Sequence, residues 1–242
     1  MTQNIYDDPD FFAGYSGLPR STGGLDDAPE WHALRALLPH PAGRRIVDLG
    51  CGFGWFCRWA ADEGAAAVLG LDVSEKMLSH AAATNAHPAI SYRRADLETL
   101  AMPEQACDLA YSSLTLHYVA DLHRLLATVH RALVPGGRFV FSMEHPIFMA
   151  SARPGWIVNP EGGRTWPVDG YQVEGPRVTD WFAPGVIKQH RTLGTIVNLL
   201  IRTGFTLAHL EEWGPTDAQI AANPALAEER DRPMFLLAAA DR

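Results

Sequence analysis

Between residues 45 and 144, short apolar runs alternate with amphipathic stretches, and this alternation limits the possible folds more than any other feature. "RIVDLG" (45–50) reads as a buried strand, and "WFCRWAADEG" (55–64) as a helix closed by Gly64. "AVLGLD" (67–72) is a second strand, followed by "SEKMLSHAAAT" (74–84), a helix capped by Ser74. "ISYRRAD" (90–96) and "CDLAYSS" (107–113) are the third and fourth strands. "DLHRLLATVHRAL" (121–133) carries leucines and a valine at helical spacing, and "RFVFSME" (138–144) is the fifth strand. Strands alternating with helices in this way predict an α/β fold, a mostly parallel sheet with helices on both faces.

The flanks are less regular. Residues 1–24 mix turn formers with Tyr6, Phe11, Phe12 and Tyr15, which is too aromatic for a free tail, so packing over another surface is expected. Asp27 and Glu30 have capping-box spacing and predict a helix start near Asp27. Residues 146–189 hold several prolines and glycines plus Trp156, Trp166, Tyr171, Trp181 and Phe182, without a helical period, and read as an irregular insertion. "RTLGTIVNLLIRTGF" (191–205) is a helix capped by Thr192, and "TLAHLEEW" (206–213) and "PMFLLAAA" (233–240) are closing strands. The expected organisation is one domain over 1–242, with an N-terminal lid (1–24) and a substrate-covering insertion (146–189). In open α/β sheets ligands bind beyond the carboxyl ends of the strands, where the insertion would form a roof.

Composition narrows the function. The formal net charge is −8 with no basic run, which disfavours a nucleic-acid partner. The acidic N-terminus lacks a secretory pattern, and no apolar run approaches the roughly 20 residues of a membrane span. Cys51, Cys57 and Cys107 form no C-x-x-C pair, which fits reduced thiols and a cytoplasmic location. His123 and His130 have no clustered acidic partners, so no metal site is expected.

The segment "IVDLGCGFGWF" (46–56) narrows it further. Gly50, Gly52 and Gly54 give G-x-G-x-G, but the sixth position of the dinucleotide fingerprint is Trp55, where a glycine would allow close helix–strand packing over a pyrophosphate. Asp48 precedes the loop, suited to a neighbouring cation rather than a phosphate. Asp72 ends the second strand, where a carboxylate can accept both ribose hydroxyls, and Asp96 follows the third.

"VDLGCGFG", "GLDVSEKML", "RRADLETL", "CDLAYSS" and "LVPGGRFVFS", in that order, resemble the successive motifs of class I S-adenosylmethionine-dependent methyltransferases. The small-molecule, type 11 group, similar to ubiquinone/menaquinone and malonyl-carrier methyltransferases, is the nearest in kind. The resemblance implies a Rossmann-like methyltransferase fold with a seven-stranded sheet and an antiparallel last strand. It also implies S-adenosyl-L-methionine as cofactor, S-adenosyl-L-homocysteine as product, and a small-molecule methyl acceptor. On this resemblance Gly50, Cys51 and Gly52 pass under the methionine part, and Asp48 approaches its ammonium group. Asp72 holds the ribose, Val73 and Met77 pack on adenine, and Asp96 and Leu97 read the adenine edge. Ser112 lines the methionine side with His117 nearby, and Tyr15 and Arg20 belong to a lid over the cofactor carboxylate.

Acceptor chemistry is read from the residues. Glu144 and His145 sit at the end of the fifth strand, and alternation sends only one into the crevice, with His145 the catalytic candidate. His190 and Arg191 form a second catalytic pair, in which Arg191 could clamp a carboxylate or phosphate or instead pair with Asp180. Trp156, Tyr171 and Trp181 are expected to wall an apolar substrate pocket. Two other function classes remain open on the sequence: a non-catalytic cofactor-binding sensor or scaffold, and an NAD(P)-dependent oxidoreductase.

Overall fold

Five parallel strands alternate with helices because each buried run must pair with its neighbours while the amphipathic stretches cover its faces. In the computed structural model, which describes residues 3–242, these are β1 (Arg45–Leu49), β2 (Ala67–Asp72), β3 (Ile90–Arg94), β4 (Cys107–Ser113) and β5 (Leu133–Glu144). The helices between them are α4 (Trp55–Asp62), α5 (Glu75–Thr84) and α6 (Leu122–Ala132). The last two strands, β10 (Thr206–Glu212) and β11 (Phe235–Asp241), follow α8 (Leu193–Thr203). Sheet order is β10-β11-β5-β4-β1-β2-β3, with β11 antiparallel to both β5 and β10. Strand order reverses between β1 and β4, so a crevice opens there at the carboxyl ends.

The two faces of the sheet bury different residues, as a period of two requires. Val47 and Leu49 join Leu125, Val129, Ile196 and Leu200 of α6 and α8 in one core. Ile46, Val68 and Tyr111 join Trp31, Leu34, Phe56 and Ala60 of α3 (Trp31–Leu37) and α4 in the other. Two expected caps are present: the Ser74 hydroxyl accepts from Met77 N at 3.0 Å, and the Thr192 hydroxyl from Thr195 N at 3.1 Å.

The flanks differ from expectation in two places. Helix α3 begins at Trp31, not near Asp27, and residues Gly24–Asp27 form a 3-10 turn. Glu30 cannot close a capping box because its carboxylate is buried against Arg20, 2.8 Å away. The segment 146–189 is more regular than its composition suggests. After the short helix α7 (Pro146–Met149) come a small hairpin, β6 (Ile157–Val158) and β7 (Arg164–Thr165), and a longer one, β8 (Gly175–Trp181) and β9 (Ala183–His190). Phe182 makes the turn of the longer hairpin at φ +57°.

Residues 3–24 form α1 (Pro9–Ser16) and α2 (Pro19–Thr22) after a 3-10 turn at Ile5–Asp7. They pack over the crevice and against the β8–β9 hairpin, through Phe11 on Trp181 and Phe182, with ring centroids 5.4 and 6.0 Å apart. Met1 and Thr2 of the expected lid lie outside the described residues.

Candidate active site

The crevice is a cavity of about 600 Å³, a size typical of small-ligand sites. Its floor is the loop after β1. Gly50, Gly52 and Gly54 all have positive φ, and glycine alone adopts this without strain. A Cβ on Gly50 would lie 2.2 Å from the Thr115 hydroxyl, so that glycine lets the β4 side of the crevice close on the loop. A Cβ on Gly52 would meet only the Tyr15 hydroxyl, at 3.8 Å, so the space above Gly52 stays open to the cavity. Trp55, at the position where the dinucleotide fingerprint has glycine, lines the cavity and donates from its indole to Ser21 O at 3.3 Å. Gly24 of the N-terminal segment lies against its face, where a Cβ would come within 2.8 Å. This tryptophan anchors the N-terminal segment.

Asp72 accepts from Gly52 N and Ser74 N, both at 2.9 Å, one on each carboxylate oxygen. Each oxygen keeps a further lone pair, enough for two hydroxyl donors. Burial raises its pKa, and the backbone bonds oppose the rise. Asp48 is buried and 3.4 Å from Cys57 Sγ. Burial pushes its carboxyl up to about 7, with the negative charge of Asp72 adding to the rise. Cys51, Val73, Met77, Asp96 and Leu97 line the same cavity, as do Tyr15 and Arg20 of the N-terminal segment. Arg20 also lies 5.5 Å from the centre of the Phe235 ring.

The opposite end of the cavity holds groups that sequence reasoning had not joined. Alternation at the end of β5 sends Glu144, not His145, into the crevice. Glu144 Oε1 takes the Lys188 ammonium at 2.5 Å, and Oε2 is buried with no partner among the described residues. His117 is buried on the same wall. Its Nδ1 accepts from Glu144 N at 3.3 Å, so the proton of the neutral ring sits on Nε2, 3.9 Å from Glu144 Oε1. Burial holds His117 well below its ordinary pKa, reinforced by Lys188 and Arg191. Burial also raises the Glu144 carboxyl, against the pull of Lys188. Lys188 lies 5.1 Å from the Trp181 ring centre. Its inward position follows the β9 alternation, which buries Val186, Lys188 and His190, and that register was the signal available in the sequence.

Six sequence candidates do not reach the cavity wall. His145 caps α7 by accepting from Ile147 N at 3.0 Å, and its Nε2 lies 2.9 Å from Glu212, so it ties β5 to β10. His190 Nε2 bonds Tyr171 O at 2.8 Å. Arg191 donates to Val119 O and Ala120 O at 2.5 and 2.8 Å, not to Asp180, and so braces the turn that carries His117. Ser112 is fully buried and bonds Leu49 O at 2.8 Å; its neighbour Ser113 faces the cavity instead. The Trp156 indole donates to Glu228 at 2.8 Å with Arg164 over its ring, and the Tyr171 hydroxyl accepts from Leu193 N at 3.1 Å. Of the three expected wall aromatics only Trp181 lines the cavity. Among the described residues no trio of His, Cys, Asp or Glu could hold a metal ion, and no helix is long and apolar enough to cross a membrane.

Comparison with known proteins agrees with the crevice. Residues 47–141 match the methyltransferase domain model. A solved S-adenosylmethionine-dependent methyltransferase from Mesorhizobium loti is 65% identical, with a TM-score of 0.87 over 90% of this chain and 100% of that one. A putative enzyme of the same kind from Listeria monocytogenes is 38% identical, with a TM-score of 0.81 over 89% and 98% of the two chains. The malonyl-[acyl-carrier protein] O-methyltransferase of Pectobacterium atrosepticum is 35% identical over 109 residues, which span 45% of this chain and 42% of that enzyme. These findings set aside the oxidoreductase and the non-catalytic module. The chain belongs to the class I, type 11 S-adenosylmethionine-dependent methyltransferases, and S-adenosylmethionine is its cofactor.

Proposed function

We propose that the protein methylates a small-molecule acceptor by in-line displacement, with the cofactor lying across the ends of β3, β2 and β1 and the acceptor beyond, toward β4 and β5. One observation carries this reading: a single cavity joins the glycine loop and Asp72 to the Glu144–Lys188 pair. The cofactor, when bound, supplies an electrophilic methyl group on a sulfonium. The open space above Gly52 receives its methionine part, and Asp48 offsets its ammonium charge. The two remaining lone pairs of Asp72 accept the ribose hydroxyls. Val73 and Met77 pack on adenine, with Asp96 and Leu97 at its edge. Tyr15 and Arg20 close the site from the lid and exclude water, and the aromatic walls hold the acceptor in line with the methyl group.

Titration calorimetry with S-adenosylhomocysteine tests the cofactor half of this reading. Hydrogen bonds to a charged group contribute about 1.5–3 kcal/mol each, so Asp72→Ala should weaken binding at least tenfold. Unchanged affinity in the variant would remove Asp72 from the site.

A further inference from the structure

Sheet order supplies a ruler across the cavity. Neighbouring strands are about 4.8 Å apart, so Glu144, at the end of β5, stands roughly 10 Å from the loop after β1, on the side away from Asp72. That is the acceptor side of the proposed function, on which this inference rests. Glu144 is gripped there from two directions. Lys188 Nζ holds Oε1 at 2.5 Å, and the Nε2–H side of His117 lies 3.9 Å from the same oxygen. The other oxygen, Oε2, is buried without a donor among the described residues. Buried acceptors are nearly always satisfied, so an oxygen left bare in a ligand cavity marks a place for a ligand's hydrogen.

The charge inventory of the cavity points the same way. Among the described residues lining it, the cations are Arg20 and Lys188, and each is already paired, with Glu30 at 2.8 Å and Glu144 at 2.5 Å. The carboxylates are Glu30, Asp48, Asp72, Asp96, Glu144 and Asp180. An anionic acceptor would meet this excess of negative charge with both cations already committed.

We propose that the methyl acceptor is a protic nucleophile, a hydroxyl or an amine, which donates its hydrogen to Glu144 Oε2, and that Glu144 takes this proton during transfer. The acceptor's oxygen or nitrogen forms a bond to the methyl carbon as the carbon–sulfur bond breaks, with that electron pair remaining on sulfur. The proton passes to Glu144 Oε2, and the neutral carboxyl returns it to solvent when the products leave. For an amine that arrives protonated, the same transfer comes first and frees the nitrogen lone pair. Lys188 and His117 are positioning residues that fix the carboxylate and direct Oε2 at the acceptor. Carboxylate acceptors are rejected, because they carry no hydrogen for Oε2 and would add a second negative charge beside it.

Three matched probes test this: 4-methylphenol, benzylamine and phenylacetate, each added to wild-type protein saturated with S-adenosylhomocysteine. Binding is read by ligand-observed NMR, and methylation in the presence of S-adenosylmethionine by mass spectrometry. The expected result is binding of 4-methylphenol or benzylamine and none of phenylacetate. The probe that gains a methyl group distinguishes the hydroxyl from the amine source. Glu144→Gln should weaken the protic probe at least tenfold and leave S-adenosylhomocysteine affinity unchanged. Because this variant strands Lys188 in the interior, Glu144→Gln/Lys188→Met is made alongside it. The double variant should bind S-adenosylhomocysteine normally and still fail to hold the protic probe. Preferential binding of phenylacetate, binding of none of the probes, or full retention of the protic probe by both variants would overturn the assignment. Failure of the wild type to bind S-adenosylhomocysteine would instead overturn the cofactor placement beneath it.

Discussion

At the residue scale, Asp48 couples the site to pH. An unfolded aspartate titrates near 3.9, whereas burial carries the folded Asp48 up to about 7. In that window the folded state binds more protons than the unfolded state, so stability is fully present below about pH 4 and declines as pH rises toward 7. The cost reaches ~4 kcal/mol at pH 8, at 1.36 kcal/mol for each unit of the shift. Asp48→Asn should therefore be more stable than the wild type at pH 8 and should flatten that decline, as urea titrations at pH 5 and pH 8 would record. A wild type equally stable at both values would mean that Asp48 stays ionised throughout. The residues around Asp48 were largely legible beforehand, because a glycine's positive φ and a carboxylate at a strand end are local properties. Trp55 was legible only as a departure from the dinucleotide pattern. Its role needed Gly24 and Ser21, more than 30 residues upstream.

At the scale of elements, the insertion is pinned rather than free. Arg232 is buried, pairs with Glu229 at 2.7 Å, and lies 4.7 Å and 4.5 Å from the ring centres of Phe148 and Trp166. Trp166 stacks on Phe148 at 5.7 Å and donates to Ile147 O at 3.1 Å. These contacts bind α7 and the β6–β7 hairpin to the segment before β11, so Trp156 and Trp166 serve the packing of the insertion and not the cavity wall. Truncating a buried tryptophan costs about 3–5 kcal/mol, and the half-buried Trp166 should cost about 2 kcal/mol on replacement by alanine. Thermal unfolding would measure that loss, while S-adenosylhomocysteine affinity stays within about a factor of two. A large loss of affinity would place Trp166 in the site after all. Six aromatics in 44 residues suggested a substrate pocket, but aromatic density cannot separate a wall from a buttress.

At the scale of the whole molecule, the N-terminal segment and the β8–β9 hairpin are latched to each other beside the crevice. Phe11 is fully buried between them, and Gly14 leaves room for the Phe182 ring, which a Cβ there would approach to 2.5 Å. The Gln3 amide adds hydrogen bonds to Gly185 O at 2.8 Å and from Ile187 N at 2.9 Å. Replacing Phe11 with alanine removes contacts worth about 3–5 kcal/mol from the latch and leaves the sheet core untouched. Hydrogen exchange should then quicken in α1 while β1 and β4 keep their protection. Uniformly faster exchange would mean that the N-terminal segment and the sheet open as one unit.

Periodicity, turn formers and strand-end carboxylates determined by themselves the sheet, its helical layers and the glycine-loop end of the crevice, because each is written within a few neighbouring residues. The opposite end, around Glu144, was decided only by tertiary structure. Glu144, Lys188 and His117 come from β5, β9 and the turn after β4, with 27 residues separating His117 from Glu144 and 44 separating Glu144 from Lys188. Alternation can state which face a side chain takes, but not which charge meets it across the cavity. The same limit applied to His145, His190 and Arg191, which carry the right chemistry and fold onto Glu212, the Tyr171 carbonyl and the turn at 119–120. A buried polar group's role is set by the partner that satisfies it, and that partner is chosen by packing.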